Sequence, residues 1–481
     1  MTRFAAFPAS DQARMSVGPN ELYRLLVDYC LPSTPAGFVL LILAIVHLVF
    51  WFTSPKPKRL PVVEDVFCSV EKLPLGKDVL YNRVCVTGGS GLVGSAVVRQ
   101  LRKGGYTVRV LDCRLPGEEQ RIAGVEYIEC DITARVNDIA KYLEGIQGVI
   151  HTAGVVNLQD NPNLLHNVHV VGTQNMIRAS RLAGVEVFVM TSSSGAVTSP
   201  YYTFSQLNVP SDFTPPLNQD FPSHYSRTKY VAERLAIKAN ETGGDFRTCA
   251  IRIPGVYGTF DDGTPDPILI GPLTTGTMSV VPTDASLGTK VSGLIDFCYV
   301  ENAAWAHILA LERLFLLATD PNNMELKRVA GGTFNVTNGE GSSSTQIEMW
   351  NIFLKKFYEA FGDSRGNARE LRPISAWILY CFAFGLEVMY WFCCGRVPFP
   401  RHLIWNCTRA SIGFACTPIT LDISKTVNLL GYTPLYSTVE SFDDIINKMQ
   451  RRQTRIANIT PCRSARKRSS RRRKASVTRS K

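Results

Sequence analysis

The sequence predicts an α/β protein: a doubly wound parallel sheet with helices on both faces and a smaller C-terminal part. Three observations predict it. Val84 to Thr87 is a strand-like run, followed by a turn crowded with Gly88, Gly89, Gly91 and Gly94, then by helical spacing of apolar residues from Leu92 to Leu101. A second strand, Thr107 to Leu111, ends in an acid, Asp112, about 18 residues past Gly94. Strands and helices then keep alternating as far as Gly258, which calls for crossover connections and a parallel sheet.

Strand, glycine turn and helix in this order open a dinucleotide-binding, Rossmann-type unit. Glycines let the backbone turn sharply, approach a pyrophosphate and pack helix on strand. The helix start offers free N–H groups and a positive dipole end to the phosphates. Gly88, Ser90, Gly91, Leu92, Val93 and Gly94 are the expected phosphate-side residues. Asp112 stands where a ribose 2′-hydroxyl is held.

Residues 1–35 are mixed in composition and end in Leu-Pro-Ser-Thr-Pro, which predicts little fixed structure beyond a short helix over Asn20–Tyr29. Ala36 to Phe52 is apolar except for His47. It is near the lower length for a transmembrane helix, Trp51 suits an interfacial anchor, and Lys56, Lys58 and Arg59 follow at once. That basic flank predicts a cytosolic location for residues after 53. A buried core helix is the alternative. A Pro- and Lys-containing linker covers 53–82, and the α/β body covers 83–338. Within the body, Val125–Asp131 reads as a third strand and Gly148–Gly154 as a fourth strand entering a small-residue turn. Asn167–Ala183 reads as a helix, Val185–Ser194 as a fifth strand ending in hydroxyls, His224–Asn240 as a helix and Thr248–Gly258 as a strand.

Residues 339–450 form the C-terminal part and contain a second apolar run, 375–394. It carries Glu387 and four Trp or Tyr residues, which suit an interface better than a bilayer centre. Cys393-Cys394 at its end suits packing or acylation. The tail, 451–481, holds 13 Lys or Arg and no acid, so it carries the net charge of +11 and reads as disordered. The remaining body is near neutral, which argues against a basic nucleic-acid cleft. The 13 cysteines include no Cys-x-x-Cys pair, so neither a zinc ribbon nor a disulfide framework is expected, and no metal site.

Tyr225-Ser-Arg-Thr-Lys229 puts a phenol and an ammonium on one helix face, because residues four apart are neighbours there. A free tyrosine titrates near 10, about three units above neutrality. A nearby lysine cation and a positive nicotinamide ring both stabilise phenolate and make it usable as a base. The strand ending Met190-Thr-Ser-Ser-Ser194 can supply a hydroxyl to the same reacting oxygen.

Thr87-Gly88-x-x-Gly91-x-x-Gly94, the serine-rich strand end and Tyr225-x-x-x-Lys229 together resemble extended short-chain dehydrogenases. The stretch from Leu294-Ile-Asp-Phe through Tyr299-Val-Glu-Asn302 to Glu312, with Leu421-Asp-Ile-Ser-Lys425 and Leu430-Gly-Tyr-Thr-Pro434, is similar to the 3β-hydroxysteroid dehydrogenase/isomerase branch. Ile295-Asp-Phe and Tyr299-Val-Glu-Asn302 look closest to its sterol-4α-carboxylate 3-dehydrogenases, which decarboxylate. The resemblance spans residues 83–450. It implies Tyr225 as proton acceptor and Lys229 as the residue that lowers its pKa and touches the nicotinamide ribose. Ser193 is the implied hydroxyl donor, with Ser194 as rival. Asp131 and Ile132 would flank adenine, and Ala153-Gly154 the ribose. Asp112 favours NAD, while Arg114 keeps NADP open. The resemblance further implies a sterol or steroid substrate, contact with membrane lipid at the endoplasmic reticulum with the catalytic part cytosolic, and leaves a homodimer open.

Two positions depart from the family pattern. His169 replaces an asparagine, and either supports the lysine or is a packed helix residue. In Arg252-Ile-Pro254 the proline is shifted by one. Two alternatives to a decarboxylating dehydrogenase follow: a dehydrogenase/Δ5–Δ4 isomerase, and a membrane-tethered NAD-binding scaffold with little turnover. A nucleotide-sugar epimerase leaves the apolar runs without a purpose. Residues 421–434 must share a membrane side with Tyr225, so the run 375–394 is expected to dip into or lie on the bilayer, with a buried helix pair as alternative. The basic tail suits either anionic lipid or solvent. Asn240 and Asn335 each begin a glycosylation sequon, and glycans there would contradict a cytosolic body.

Overall fold

The computed structural model describes residues 82–454 apart from internal stretches, the longest being 267–279, 284–293, 363–371 and 389–417. The apolar run 36–52, its flanking segments and the tail beyond 454 lie outside the described residues. Among the described residues no helix is long and apolar enough to cross a membrane.

Seven parallel strands form the central sheet: β1 (Arg83–Thr87), β2 (Thr107–Asp112), β3 (Val125–Glu129), β4 (Gly148–His151), β5 (Val187–Ser193), β6 (Arg247–Ile253) and β7 (Thr333–Asn335). Their order is β7-β6-β5-β4-β1-β2-β3. The order reverses between β1 and β4, which opens a crevice at the carboxyl ends of those two strands. The longer helices among the described residues include α1 (Leu92–Lys103), α2 (Val136–Lys141), α3 (Thr173–Leu182), α4 (His224–Lys238), α5 (Val300–Thr319), α6 (Gln346–Phe361) and α7 over 438–454.

Alternation along each strand sorts the core into two layers. Val84, Val86, Val187, Val189, Cys249 and Ile251 face a cluster with α1 and α5. Cys85, Phe188, Met190 and Ala250 face the other cluster, with Met176 of α3 and Ala232 and Ala236 of α4. Helix α5 is buried along most of its length and presses on β4: a Cβ at Gly148 would lie 2.6 Å from the Phe315 ring.

Some expected boundaries shift. The helix expected from 167 begins with a π-helical turn, His166–Gly172, before α3. The strand expected over 248–258 divides at Pro254. There β6 ends, and Gly255–Tyr257 pairs with Phe297–Tyr299 in a separate two-stranded sheet.

A second sheet runs Ser344–Thr345, Leu294–Ile295, Ile419–Leu421, Gln206–Val209. Its strands come from both sides of residue 338. Asp296 fastens it by accepting from the Leu421 N–H (2.6 Å) and the Ser343 hydroxyl (2.5 Å), although burial raises its pKa. Val280–Thr283 pairs in parallel with Arg372–Ser375. Residues 421–432 pack on the main body, with the Thr426 hydroxyl donating to the Asn335 carbonyl (2.6 Å) and the Tyr432 hydroxyl to the Thr337 carbonyl (2.7 Å). Of the second apolar run, residues 381–386 are helical, with Ala383 and Leu386 buried; most of the remainder lies outside the described residues. Asn335 is fully buried in β7, so its sequon is closed to modification in the folded protein.

Candidate active site

The glycine turn sits at the crevice and closes tightly. Gly88 has φ +69°, and a Cβ on it would come within 2.7 Å of the Ala153 backbone. A Cβ on Gly94 would lie 2.1 Å from the Gly88 carbonyl and 2.7 Å from Thr152 Oγ1, so no side chain fits there. Ser90 donates its N–H to Asp112 Oδ2 (3.0 Å), and Arg114 donates its N–H to Oδ1 (3.1 Å). This carboxylate is therefore oriented by backbone at the rim of the turn. Helix α1 begins at Leu92 and Val93 with no side-chain cap, and the buried Ser90 hydroxyl has no partner among the described residues. Uncapped N–H groups, an unpartnered hydroxyl and a backbone cradle too tight for any Cβ fit a dinucleotide's phosphates and ribose. Asp131 is exposed and accepts from the Thr133 N–H and hydroxyl (both 2.8 Å). Ile132 is buried, with its side chain against Gly172. Ala153 donates its N–H to Thr87 Oγ1 (3.3 Å).

Helix α4 runs along the end of β5. Ser223 caps it by accepting from the Ser226 N–H (3.1 Å), which sets its first turn just before Tyr225. Ser193 Oγ accepts from the Gly195 N–H (3.1 Å), and a Cβ on Gly195 would lie 3.4 Å from Ser193 Oγ and 3.7 Å from Tyr225 Cε1, so the hydroxyl and the phenol ring border one gap. Burial pushes the Tyr225 pKa up, and the Ser193 hydroxyl opposes this by favouring phenolate. Lys229, 7 % exposed, donates to the Thr191 carbonyl (3.2 Å). Its ammonium lies beside Gly154, where a Cβ would be 3.2 Å from Nζ. Gly154 follows Ala153, which abuts Gly88. Tyr225, Lys229 and Ser193 thus meet at one place, joined by this short strip to the glycine turn. The other serine, Ser194, is buried, and its carbonyl accepts from Thr198.

The sequence profile of the 3-beta hydroxysteroid dehydrogenase/isomerase family matches residues 85–371. The chain belongs to this family. Membership makes it an oxidoreductase. It is 28 % identical over 377 residues to the mouse sterol-4-alpha-carboxylate 3-dehydrogenase, decarboxylating, an alignment covering 77 % of this chain and 91 % of the relative. It is 29 % identical over 375 residues to a 3 beta-hydroxysteroid dehydrogenase/Delta 5-->4-isomerase of Mycobacterium tuberculosis, covering 76 % and 89 %. Among solved structures, a UDP-glucose-4-epimerase from Stenotrophomonas maltophila with bound NAD superimposes with a TM-score of 0.55 at 20 % identity, covering 78 % of this chain and 100 % of the epimerase. That likeness concerns the fold.

Spacing alone left unnamed several buried polar residues that pack around these groups, Glu233, His151 and His307 among them. Glu233 is eight past Tyr225 and continues the four-residue spacing on the same face. It accepts from the Ser192 hydroxyl (2.6 Å) and from Arg252 through both oxygens (2.6 and 2.8 Å), with Glu233 and Arg252 both fully buried. Arg252 is thus held inside the fold whatever the shift of Pro254 does to the following loop. Three buried histidines, His151, His169 and His307, surround Lys229 and stay neutral. Burial, aided by the Lys229 cation, pushes them down to about 3, 2 and 4. His307 is held between the Thr191 hydroxyl and the Ala303 carbonyl (both 2.7 Å).

Burial also pushes Lys229 itself from 10.5 down to about 8. Folding therefore releases its proton between those two pH values. The cost is full below about 8 and fades as pH rises to 10.5. Lys229→Met is expected to raise the unfolding free energy by about 2–3 kcal/mol at neutral pH, with the gain shrinking toward pH 10.5. Urea unfolding at pH 7 and pH 10 measures it.

Proposed function

We propose that this dehydrogenase oxidises the 3β-hydroxyl of a membrane-derived sterol to the ketone with NAD, and that a carboxylate at C4 then leaves as CO2. The observation that carries the reading is the strip Gly88–Ala153–Gly154–Lys229. It sets a dinucleotide cradle directly against a phenol, an ammonium and a hydroxyl. Gly88, Ser90, Gly91, Leu92, Val93 and Gly94 would hold the pyrophosphate, Asp112 the adenosine ribose, Asp131 and Ile132 the adenine, and Ala153 with Lys229 the nicotinamide ribose. NAD supplies a hydride acceptor.

Tyr225 takes the hydroxyl proton. Burial works against its phenolate, so Lys229 and the Ser193 hydroxyl must stabilise the anion at the moment of transfer. Ser193 also hydrogen-bonds the substrate oxygen as it becomes a carbonyl. Oxidation beside a C4 carboxylate yields a β-keto acid. Its C4–carboxyl bond breaks with the electron pair passing into the new carbonyl as an enolate, which takes a proton from water at C4, so no further protein group is required.

Residues 421–432 pack on the body, which supports a run 375–394 that makes no single crossing of a membrane between them. The reading that follows is a run seated on or in one leaflet near the substrate entrance, with 36–52 as the anchor in the endoplasmic reticulum membrane and the body cytosolic. The test is incubation of the full chain with NAD and either a 4-carboxysterol or a 3β-hydroxy-5-ene steroid. The expected result is NADH and CO2 in equal amounts from the first. A 4-ene-3-ketone from the second, with no CO2 from the first, would assign isomerase activity instead. Cofactor binding without NADH on either would mean a scaffold.

A further inference from the structure

We propose that His169 is a positioning residue that rivets the strip beside the nicotinamide ribose to the catalytic helix, and that it carries no proton in the reaction. The inference rests on the functional reading above and adds a residue to it. His169 is 1 % exposed and sits in the π-helical turn His166–Gly172, an irregularity common at functional sites. Its Nε2 accepts from the Val155 N–H (3.2 Å), which leaves Nε2 without a proton. The ring proton is therefore on Nδ1, which lies 2.9 Å from Thr228 Oγ1. Thr228 in turn donates to the His224 and Tyr225 carbonyls (2.9 and 3.1 Å), so its oxygen is free to accept from Nδ1. Every donor and acceptor in this chain is matched in one direction only. The other tautomer would set Nε2–H against the Val155 N–H.

The consequences follow from place. Val155 is the next residue after the Ala153-Gly154 strip. Thr228 precedes Lys229, and the imidazole stands edge-on to the Tyr225 ring with centroids 5.5 Å apart. A Cβ on Gly154 would lie 3.4 Å from His169 Nε2 and 3.2 Å from Lys229 Nζ, so the histidine and lysine border the same gap. One side chain thus fixes the spacing between the cofactor side and the helix that bears both catalytic groups. Burial and the Lys229 cation push its pKa down to about 2, which keeps it neutral throughout the working range. A neutral imidazole with both nitrogens committed to fixed partners has nothing to relay.

The experiment replaces His169 in the full chain by Phe, which keeps the ring and removes both hydrogen bonds, and by Gln, which can restore the Val155 contact. Three quantities are read: amide exchange of residues 153–156, NAD affinity, and the pH profile and solvent isotope effect of kcat. His169→Phe is expected to speed exchange at 153–156 and to weaken NAD about tenfold, as loss of one or two buried hydrogen bonds implies. The inflection of the kcat profile and the isotope effect stay as in the parent protein. Partial recovery of exchange and affinity in His169→Gln supports the role and covers a Phe variant that does not fold. Unchanged exchange and affinity, with kcat lost and the isotope effect altered, would overturn it in favour of proton transfer. If the parent turns over neither sterol, the functional reading fails, while exchange and NAD affinity still decide the tie.

Discussion

Tyr225→Phe is expected to cut turnover at least about a hundredfold while leaving the fold and cofactor binding in place. Phenylalanine keeps the ring that packs edge-on against His169 and loses only the hydroxyl beside Ser193. That hydroxyl is the proposed general base, and removing such a group costs about 10²–10⁴ in kcat. The glycine cradle and Asp112 do not touch Tyr225, so NAD affinity should stay within about twofold, since no hydrogen bond to the cofactor is lost. NADH formation and NAD titration on the same preparation check both halves. A variant that keeps more than a tenth of parental turnover would remove Tyr225 from the chemistry.

Glu233→Ala should carry the largest stability loss. Glu233 and Arg252 are both fully buried and paired through two hydrogen bonds, and Ser192 leans on the same carboxylate. Taking away the acid strands a guanidinium in the core, which costs about 3–5 kcal/mol. Arg252 also donates to the Ser211 carbonyl (2.9 Å), so the damage spreads toward the second sheet. Thermal unfolding followed by circular dichroism is expected to shift down by on the order of 10 °C. Glu233→Gln keeps one acceptor and should lose less. Helix α4 also carries Tyr225 and Lys229, so loosening its second half should lower turnover before it lowers NAD affinity.

The glycine turn, Asp112 and the Tyr225/Lys229 pair were legible because each depends on local spacing. A tight turn, a strand end and an i, i+4 face are all written within a few residues. The serine was less so. Ser193 and Ser194 are adjacent and chemically alike, and only the direction of β5 decides that Ser193 meets the phenol. Glu233 was missed, and Arg252 was noted only for the proline after it, because nothing local marks their pairing. Arg252 reads as a polar residue in a strand until α4 is laid over β6. Helix α5 was hidden for the opposite reason, since it is buried nearly all round and has no polar face to give a helical period. The division at 338 misses the second sheet, whose strands pair across more than 200 residues of sequence, as Gln206 with Ile419.

The central claim is that a hydride leaves a sterol C3 for a cofactor lying against Tyr225 and Lys229. The most direct measurement uses a 4-carboxysterol bearing deuterium at C3 on the α face, with NAD and the full chain, and weighs the reduced dinucleotide. The account predicts one deuterium in each reduced molecule, and formation at least about a hundredfold slower by the Tyr225→Phe protein. Reduced cofactor free of deuterium, or labelled cofactor produced equally well without the phenol, would contradict it.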